Sequence, residues 1–477
     1  MDARAWCRLI AMRNQIETSG RGARRMVLDA AVMATAAICV LASACARSDA
    51  RTFAPTVSTT PTPAAALGSA ASPTVLVPRE TSVTGVGAPV QAPLVTATRV
   101  PPLAVVPQSP IGPASPLEVK VGQLIMGGFS RPFVDDEIGW LIDTYHIGNV
   151  VLLSRNIGGP SDILAMTNLL QERARAANGV GMLIATDQEG GRVIRLEPPF
   201  TQFPPAREIG CIGIGDLARE SGRITGSEMR SVGINVDLAP DADVADNPQN
   251  TVIGDRSFGT DAAAVVAVLP AYIEGLHAGG AGATAKHFPG HGSTDGDSHN
   301  GPVTVEKTRA ELEATELPPF RAIAKTSDLV MMANVAYSAL DPSGLPGGLS
   351  APIVSVLRDD VGFGGVIITD DLAMGAIQSR WSTAAAAVIA LQAGVDIVLA
   401  KDAGDIAGIH EAIMQAVADG RLSESRIDAS LARVLAAKQR ILAKPAPPLD
   451  VIGTEANRAF VEELASAAAN AGCGRSR

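Results

Sequence analysis

Eight short apolar runs, separated by segments whose apolar residues recur at helical spacing, constrain this chain more than any other feature. The runs are Val121–Gly127, Asn149–Leu153, Gly181–Thr186, Ile234–Leu238, Ala281–His287, Leu329–Val335, Gly365–Thr369 and Val395–Ala400. Each is continuous rather than alternating, as expected of parallel strands buried on both faces. The intervening segments, such as Ser161–Ala177 and Thr383–Ala393, repeat their apolar positions every three or four residues. Eight strand–helix units predict an α/β fold, a single (β/α)8 barrel over residues 116–445. A doubly wound open sheet is the rival architecture. No G-x-G-x-x-G follows the first run, which speaks against it.

A barrel of this kind gathers its chemistry at the carboxyl ends of its strands. After the second run come Arg155-Asn156, and after the third Asp187-Gln188-Glu189-Gly190-Gly191-Arg192. The loop after the fourth holds Asp255-Arg256-Ser257. The fifth ends in Lys286-His287-Phe288-Pro289-Gly290-His291-Gly292 and continues to Asp297-Ser298-His299. The sixth ends in Asn334, the seventh in Asp370-Asp371 and the eighth in Lys401-Asp402. Ionisable groups thus converge on one rim from at least five strands.

Three of the six histidines, His287, His291 and His299, fall close together beside Asp295 and Asp297. Pro289 and Gly290 keep His287 and His291 off a shared helix face, so a zinc site of the H-x-x-x-H type is not expected and no metal is assigned. Asp297 and His299, two residues apart on a polar loop, form the alternative reading. A carboxylate that orients an imidazole and stabilises its protonated form makes a general acid/base. Asp370, directly after an apolar strand, is placed to attack an electrophilic carbon. Asp371, pointing elsewhere by strand alternation, is expected to cap the following helix. Asp187, Arg195, Arg256, Lys286 and His287 read as a polar ring around a small polyhydroxylated ligand. For Arg192 and Arg195 the structural alternative is a salt bridge to Glu189. No metal or organic cofactor is implied.

The amino end has a different character. Arg21, Arg24 and Arg25 precede the apolar stretch Ala30–Ala42, a secretory signal pattern too short to span a bilayer comfortably. It ends Leu41-Ala42-Ser43-Ala44-Cys45, which resembles a bacterial lipobox and makes Cys45 the candidate lipidated residue. Residues 1–45 therefore read as a signal segment. Residues 46–115, with 12 of the 32 prolines and one aromatic residue, read as a disordered linker. The expectation is an exported protein, held at the outer face of the cell membrane by a lipid or released to the wall. After Cys45 only Cys211 and Cys473 remain, and no disulfide framework is implied. The net charge of -10 argues against a nucleic-acid partner, and a monomer is expected.

Taken together, four motifs resemble family three glycoside hydrolases, specifically their bacterial β-N-acetylhexosaminidases. They are Asp187-Gln188-Glu189-Gly190-Gly191-Arg192-Val193, Lys286-His287-Phe288-Pro289-Gly290-His291-Gly292, Asp297-Ser298-His299 and Ile368-Thr369-Asp370-Asp371-Leu372-Ala373-Met374. The resemblance covers about residues 117 to 445. It implies a retaining exo-hydrolase that releases terminal N-acetylglucosamine from cell-wall glycan or muropeptide fragments. It also implies Asp370 as nucleophile, His299 as acid/base, Asp297 as partner of that histidine, and Asp187, Arg195, Arg256, Lys286 and His287 as sugar-binding positions. Asn334 stands where the family usually has His, and the loop after His299 reaches Pro302 sooner than usual. Only Ala446–Arg477 follows the barrel, with a helix expected near Glu455–Asn470, which points to the single-domain hexosaminidase branch rather than β-glucosidases. A phosphorylase of the same family is the mechanistic alternative. A non-catalytic sugar-binding lipoprotein is the alternative from another class.

Overall fold

The computed structural model describes residues 111–473. The signal segment, Cys45 and nearly all of the linker lie outside the described residues.

Eight parallel strands form one sheet: β1 Ile125–Gly127, β2 Asn149–Val151, β3 Leu183–Thr186, β4 Val236–Asp237, β5 Gly282–Phe288, β6 Leu329–Met332, β7 Val366–Thr369 and β8 Val398–Ala400. Their spatial order is β8-β1-β2-β3-β4-β5-β6-β7. A parallel bridge between Ile368 and Ile397 brings the two ends together, supported by Leu399 N–H donating to Thr369 Oγ1 at 2.9 Å. The fold is a (β/α)8 barrel. All residues of β5 are buried, as are all of β3, β6 and β7, which explains why these strands read as unbroken apolar runs. The first run differs from expectation. Only its second half is strand, while Leu117–Gly122 turns as a helix whose buried Lys120 bonds Glu424 at 2.5 Å and Asp428 at 2.7 Å.

The barrel helices show how the sequence sets their ends. Among them are α1 Asp136–Tyr145, α2 Pro160–Asn178, α3 Ala206–Ile212, α4 Gly215–Ser231, α5 Ala262–Gly279, α6 Thr383–Ala393, α7 Ala403–Ala418, α8 Glu424–Leu442 and α9 Glu455–Asn470. In α2, Pro160 sits in the first turn, where its missing N–H is no loss, and Gly179 takes φ 70° to end the helix. Ile163, Met166, Leu170 and Ala174 recur at steps of three and four and are buried. Each large apolar side chain so buried contributes about 1.5–3 kcal/mol.

Residues after the barrel return to it. Helix α9 packs on α3, Phe203 meets Phe460 edge-on at 6.4 Å, and Cys473 is disulfide-bonded to Cys211 in α3. This corrects the expectation drawn from cysteine number. The two sulfurs are 262 residues apart in sequence, and only the packing of α9 against α3 brings them together. Glu228 of α4 ties the same region down, accepting from Thr201 N–H at 2.8 Å, Gly453 N–H at 2.9 Å and Asn457 Nδ2 at 2.9 Å.

Candidate active site

At the carboxyl ends of the strands lies a cavity of about 350 Å³. Its lining includes Asp187, Arg195, Arg256, Lys286, His287, Asp297, His299 and Asp370, so every folded residue assigned to the site from sequence borders one space. Glu189, Arg192 and Lys401 line it as well.

The floor is an ionic lattice. Asp187, one residue beyond β3, bonds Lys286 Nζ at 3.1 Å through one oxygen and Arg195 at 3.0 Å through the other. Glu189 lies at its centre, bonding Arg256 through Nε at 2.7 Å and Nη2 at 2.9 Å and Lys286 Nζ at 2.7 Å. Glu189 and Lys286 each expose only 3% of their side chains. Burial alone would raise the Glu189 carboxyl, but Arg256 and Lys286 hold it well below the usual range. Burial would likewise lower the Lys286 ammonium, and Glu189 and Asp187 outweigh it and raise it. Four charges are therefore kept ionised by one another, as a buried charge requires.

The salt-bridge pattern differs from the alternative weighed for the arginines. Arg192 pairs with Asp255 at 2.9 Å, and Arg195 with Asp187, while Glu189 takes Arg256 and Lys286. The loop needs its glycines. Gly190 and Gly191 have φ 90° and 55°, and a Cβ on either would lie 2.9 Å from Pro204 or Pro205 atoms. Gln188 Oε1 then accepts the N–H groups of Arg195 and Leu196 at 3.0 and 2.9 Å, fixing the return of the loop.

Sequence reasoning missed a second buried layer. Asp243 Oδ1 accepts the backbone N–H of His287 at 3.1 Å and of His291 at 2.7 Å, while its other oxygen lies 2.7 Å from His287 Nδ1. His287 is thereby oriented with its remaining nitrogen free for the cavity. Burial and the Arg256 charge push its pKa down to about 4, so it is neutral above that pH. The available signal was a pair of acids, Asp241 and Asp243, just past the fourth apolar run. Asp241, Asp243 and His287 are the described residues whose donor atoms cluster closely enough to consider for a metal, within 4.8 Å. They fit a cation poorly. Both Asp243 oxygens are engaged, and Arg256 stands 3.6 Å from Asp241.

The acid/base candidates sit on the loop after β5. His299 Nδ1 lies 2.7 Å from Asp297 Oδ1. The His291 ring braces the loop from below, with Nε2 2.9 Å from Ser298 Oγ and Nδ1 3.1 Å from Thr294 Oγ1. On the far side the loop is pinned to the segment after β7, where Gly375 and Ala376 N–H donate to His299 O at 2.9 Å and Ser298 O at 3.1 Å. A Cβ on Gly375 would lie 2.6 Å from His299 O, so this approach requires glycine. The imidazole itself remains 56% exposed.

Asp370 follows β7 directly and faces the cavity. Burial pushes its carboxyl up, but Lys401, His287 and the Asp371 N–H hold it below the usual range. That amide donates to Asp370 Oδ1 at 2.7 Å. Asp371 does not cap a helix as expected. Its Oδ1 accepts from Ala373 N–H at 3.1 Å and Lys401 N–H at 3.3 Å, closing a turn before the next helix begins at Gly375. Asn334 donates to Asp371 O at 2.9 Å and supports the same turn.

Residues 116–437 match the model of the glycosyl hydrolase family 3 N-terminal domain. The chain is 35% identical over 327 residues to beta-hexosaminidase LpqI of Mycobacterium tuberculosis, covering 67% of this chain and 82% of that protein. Against beta-hexosaminidase A of Pseudoalteromonas piscicida it is 33% identical over 360 residues, covering 70% and 60% respectively. Among solved structures, the family 3 β-N-acetylglucosaminidase of Paenibacillus sp. aligns with a TM-score of 0.72 at 39% identity, over 74% of this chain and 69% of that one. The β-N-acetylhexosaminidase of Beutenbergia cavernae aligns with a TM-score of 0.63 at 35% identity, over 68% and 99%.

Proposed function

Since the chain belongs to glycosyl hydrolase family 3 and is a glycosidase, we propose that it removes terminal β-linked N-acetylglucosamine from cell-wall glycan fragments with retention of configuration. In the first step the Asp370 carboxylate attacks the anomeric carbon, and the bond to the leaving oxygen breaks as His299 gives that oxygen its proton. In the second, water attacks the same carbon and gives a proton to His299, while Asp370 departs as carboxylate. Asp297 orients the imidazole and stabilises its charged form. Asp187, Arg195, Arg256, Lys286 and His287 hold the hydroxyls of the sugar.

The observation that carries this reading is the meeting of Asp370 and the Asp297–His299 pair on one cavity floored by a self-neutralising ionic lattice. Retaining glycosidases of the common type use two carboxyls; here an imidazole serves as the proton carrier. We further propose that the enzyme is exported, anchored through a lipid on Cys45, and active as a monomer on peptidoglycan-derived fragments. Labelling of the full chain with a radioactive fatty acid, lost in Cys45→Ala, tests the anchor.

The activity is tested on the domain from about residue 111 with a chromogenic β-N-acetylglucosaminide, with and without phosphate. Wild type is expected to release the free sugar, Asp370→Ala to lose nearly all turnover and His299→Ala to lose less. Sugar 1-phosphate as the main product would make the enzyme a phosphorylase. Binding of the sugar without turnover would leave a wall-binding protein.

A further inference from the structure

Four cations on the cavity wall have a carboxylate partner at short range: Arg192 at 2.9 Å, Arg195 at 3.0 Å, Arg256 at 2.7 Å and Lys286 at 2.7 Å. Lys401 is the exception among the described residues that line this space. Its nearest carboxylate oxygen is Asp371 Oδ2, at 4.0 Å.

Its backbone is nonetheless held firmly. Lys401 follows β8 and lies beside the strand that carries Asp370, across the bridge that closes the barrel. The Lys401 N–H donates to Asp371 Oδ1 at 3.3 Å, and its carbonyl accepts Arg155 Nη2 at 2.5 Å. Gly128 packs its backbone against that carbonyl, where a Cβ would collide. Asp371 in turn donates its N–H to Asp370 Oδ1. A long flexible cation is thus mounted on a fixed backbone, with its side chain 30% exposed and turned to the same cavity as Asp370.

We infer that Lys401 is a positioning residue for Asp370, supplying the mobile counter-charge of the nucleophile; this rests on the assignment of Asp370 proposed above. The other groups around Asp370 do not supply it. From β5, Lys286 is engaged by Asp187 and Glu189, and His287 lowers Asp370 only in its charged form and is neutral above about pH 4. Asp187 after β3, neighbouring Asp371 and Asp297 of the catalytic loop are acids, and His299 is held by Asp297. Burial disfavours the Asp370 carboxylate, and Lys401 is the largest opposing influence on it. The arrangement also has a consequence for turnover. When Asp370 is consumed in the glycosyl ester its charge disappears, and when water cleaves the ester the carboxylate reappears beside a cation already in place. Lys401 therefore favours departure of Asp370 in the second step.

The test compares kcat/KM as a function of pH for wild type, Lys401→Met, Lys401→Gln and Lys401→Arg on a chromogenic β-N-acetylglucosaminide. Removing a neighbouring cation raises the pKa of a carboxylate, so a higher pH is needed to ionise Asp370. The acid limb of both neutral variants is expected to move up by about one pH unit, an approximately tenfold loss on that limb, and Lys401→Arg is expected to restore it. A merely structural role would scale the whole profile without moving the limb. An acid limb unchanged in the neutral variants, or an arginine that fails to restore it, overturns the inference; the two neutral variants guard against one failing to fold. Wild type without turnover fails the parent reading instead, a result distinguishable at once from a working enzyme whose limb does not move.

Discussion

One oxygen of Asp297 serves both ends of His299: Oδ1 lies 2.7 Å from the ring Nδ1 and accepts the His299 backbone N–H at 2.9 Å. The second oxygen accepts from Asn300 Nδ2 at 2.9 Å, so the carboxylate is held while the ring stays open to solvent. Burial pushes the Asp297 carboxyl up, but the bonds and charge of His299 together outweigh it and keep it below the usual carboxylate range. In Asp297→Asn the amide supplies no charge to stabilise the imidazolium. We expect kcat/KM, which reports the first step alone, to fall by about 10²-fold on substrates with poor leaving groups. The fall should be much smaller on a dinitrophenyl glycoside, whose leaving oxygen needs no proton. Equal losses on both substrates would refute the acid role.

Glu189 joins Arg256 to Lys286, and Glu189→Gln leaves Lys286 with Asp187 alone at 3.1 Å and Arg256 with only Asp241 at 3.6 Å. Removing one member of a buried ionic group typically costs about 3–5 kcal/mol. Urea unfolding should register a loss of that order, and KM should rise at least tenfold because both partners line the cavity proposed to hold the sugar. A variant with unchanged KM would show that the lattice holds the fold and not the ligand.

The covalent tie between Cys211 and Cys473 closes a long loop, for which losses of about 2–5 kcal/mol are typical. Cys473→Ala should lower the melting temperature of the oxidised protein while leaving kcat near wild type. Reductant should destabilise wild type by the same amount and leave the variant unmoved. A variant as sensitive to reductant as wild type would contradict the pairing.

Beneath the barrel, Lys438 donates to Gln123 Oε1 at 2.6 Å and Gly148 O at 2.8 Å with no carboxylate partner among the described residues, and burial lowers its pKa from 10.5 to about 7. The unfolded chain then binds a proton more tightly than the folded one between those two values. Stability from this group is present above the unfolded pKa and is lost as pH falls through about 7. The melting temperature of wild type relative to Lys438→Met should therefore rise from pH 7 to pH 10. A flat difference would mean that the amine stays charged when folded.

Much of the barrel is legible in the chain because buried parallel strands have no polar face to interrupt them. Lys286 betrays its importance as a cation inside a seven-residue strand that is buried throughout. Asp187 and Asp370 do so by ending apolar runs. Glu189 and Asp243 are harder to read, since each acts through partners far away in sequence: Arg256 lies 67 positions from Glu189, and His287 lies 44 from Asp243. No local spacing encodes such pairs. The expected cap at Asp371 fails for a related reason, because the turn binds the neighbouring strand end before any helix starts. Cys211 and Cys473 are hidden by distance in the same way, and composition counts cysteines without saying which surfaces meet.

That last pairing has a consequence for how the molecule withstands proteolysis. A single cleavage anywhere between residues 211 and 473 leaves both fragments members of one covalent body, because the cystine closes the chain into a ring that encloses the strands from β4 to β8. A nicked enzyme would migrate as one species until reduced and then as two. The cavity loops that follow β4 to β8 can thus be cut without setting Asp297, His299 or Asp370 adrift, whereas the loop after β3 lies outside the ring.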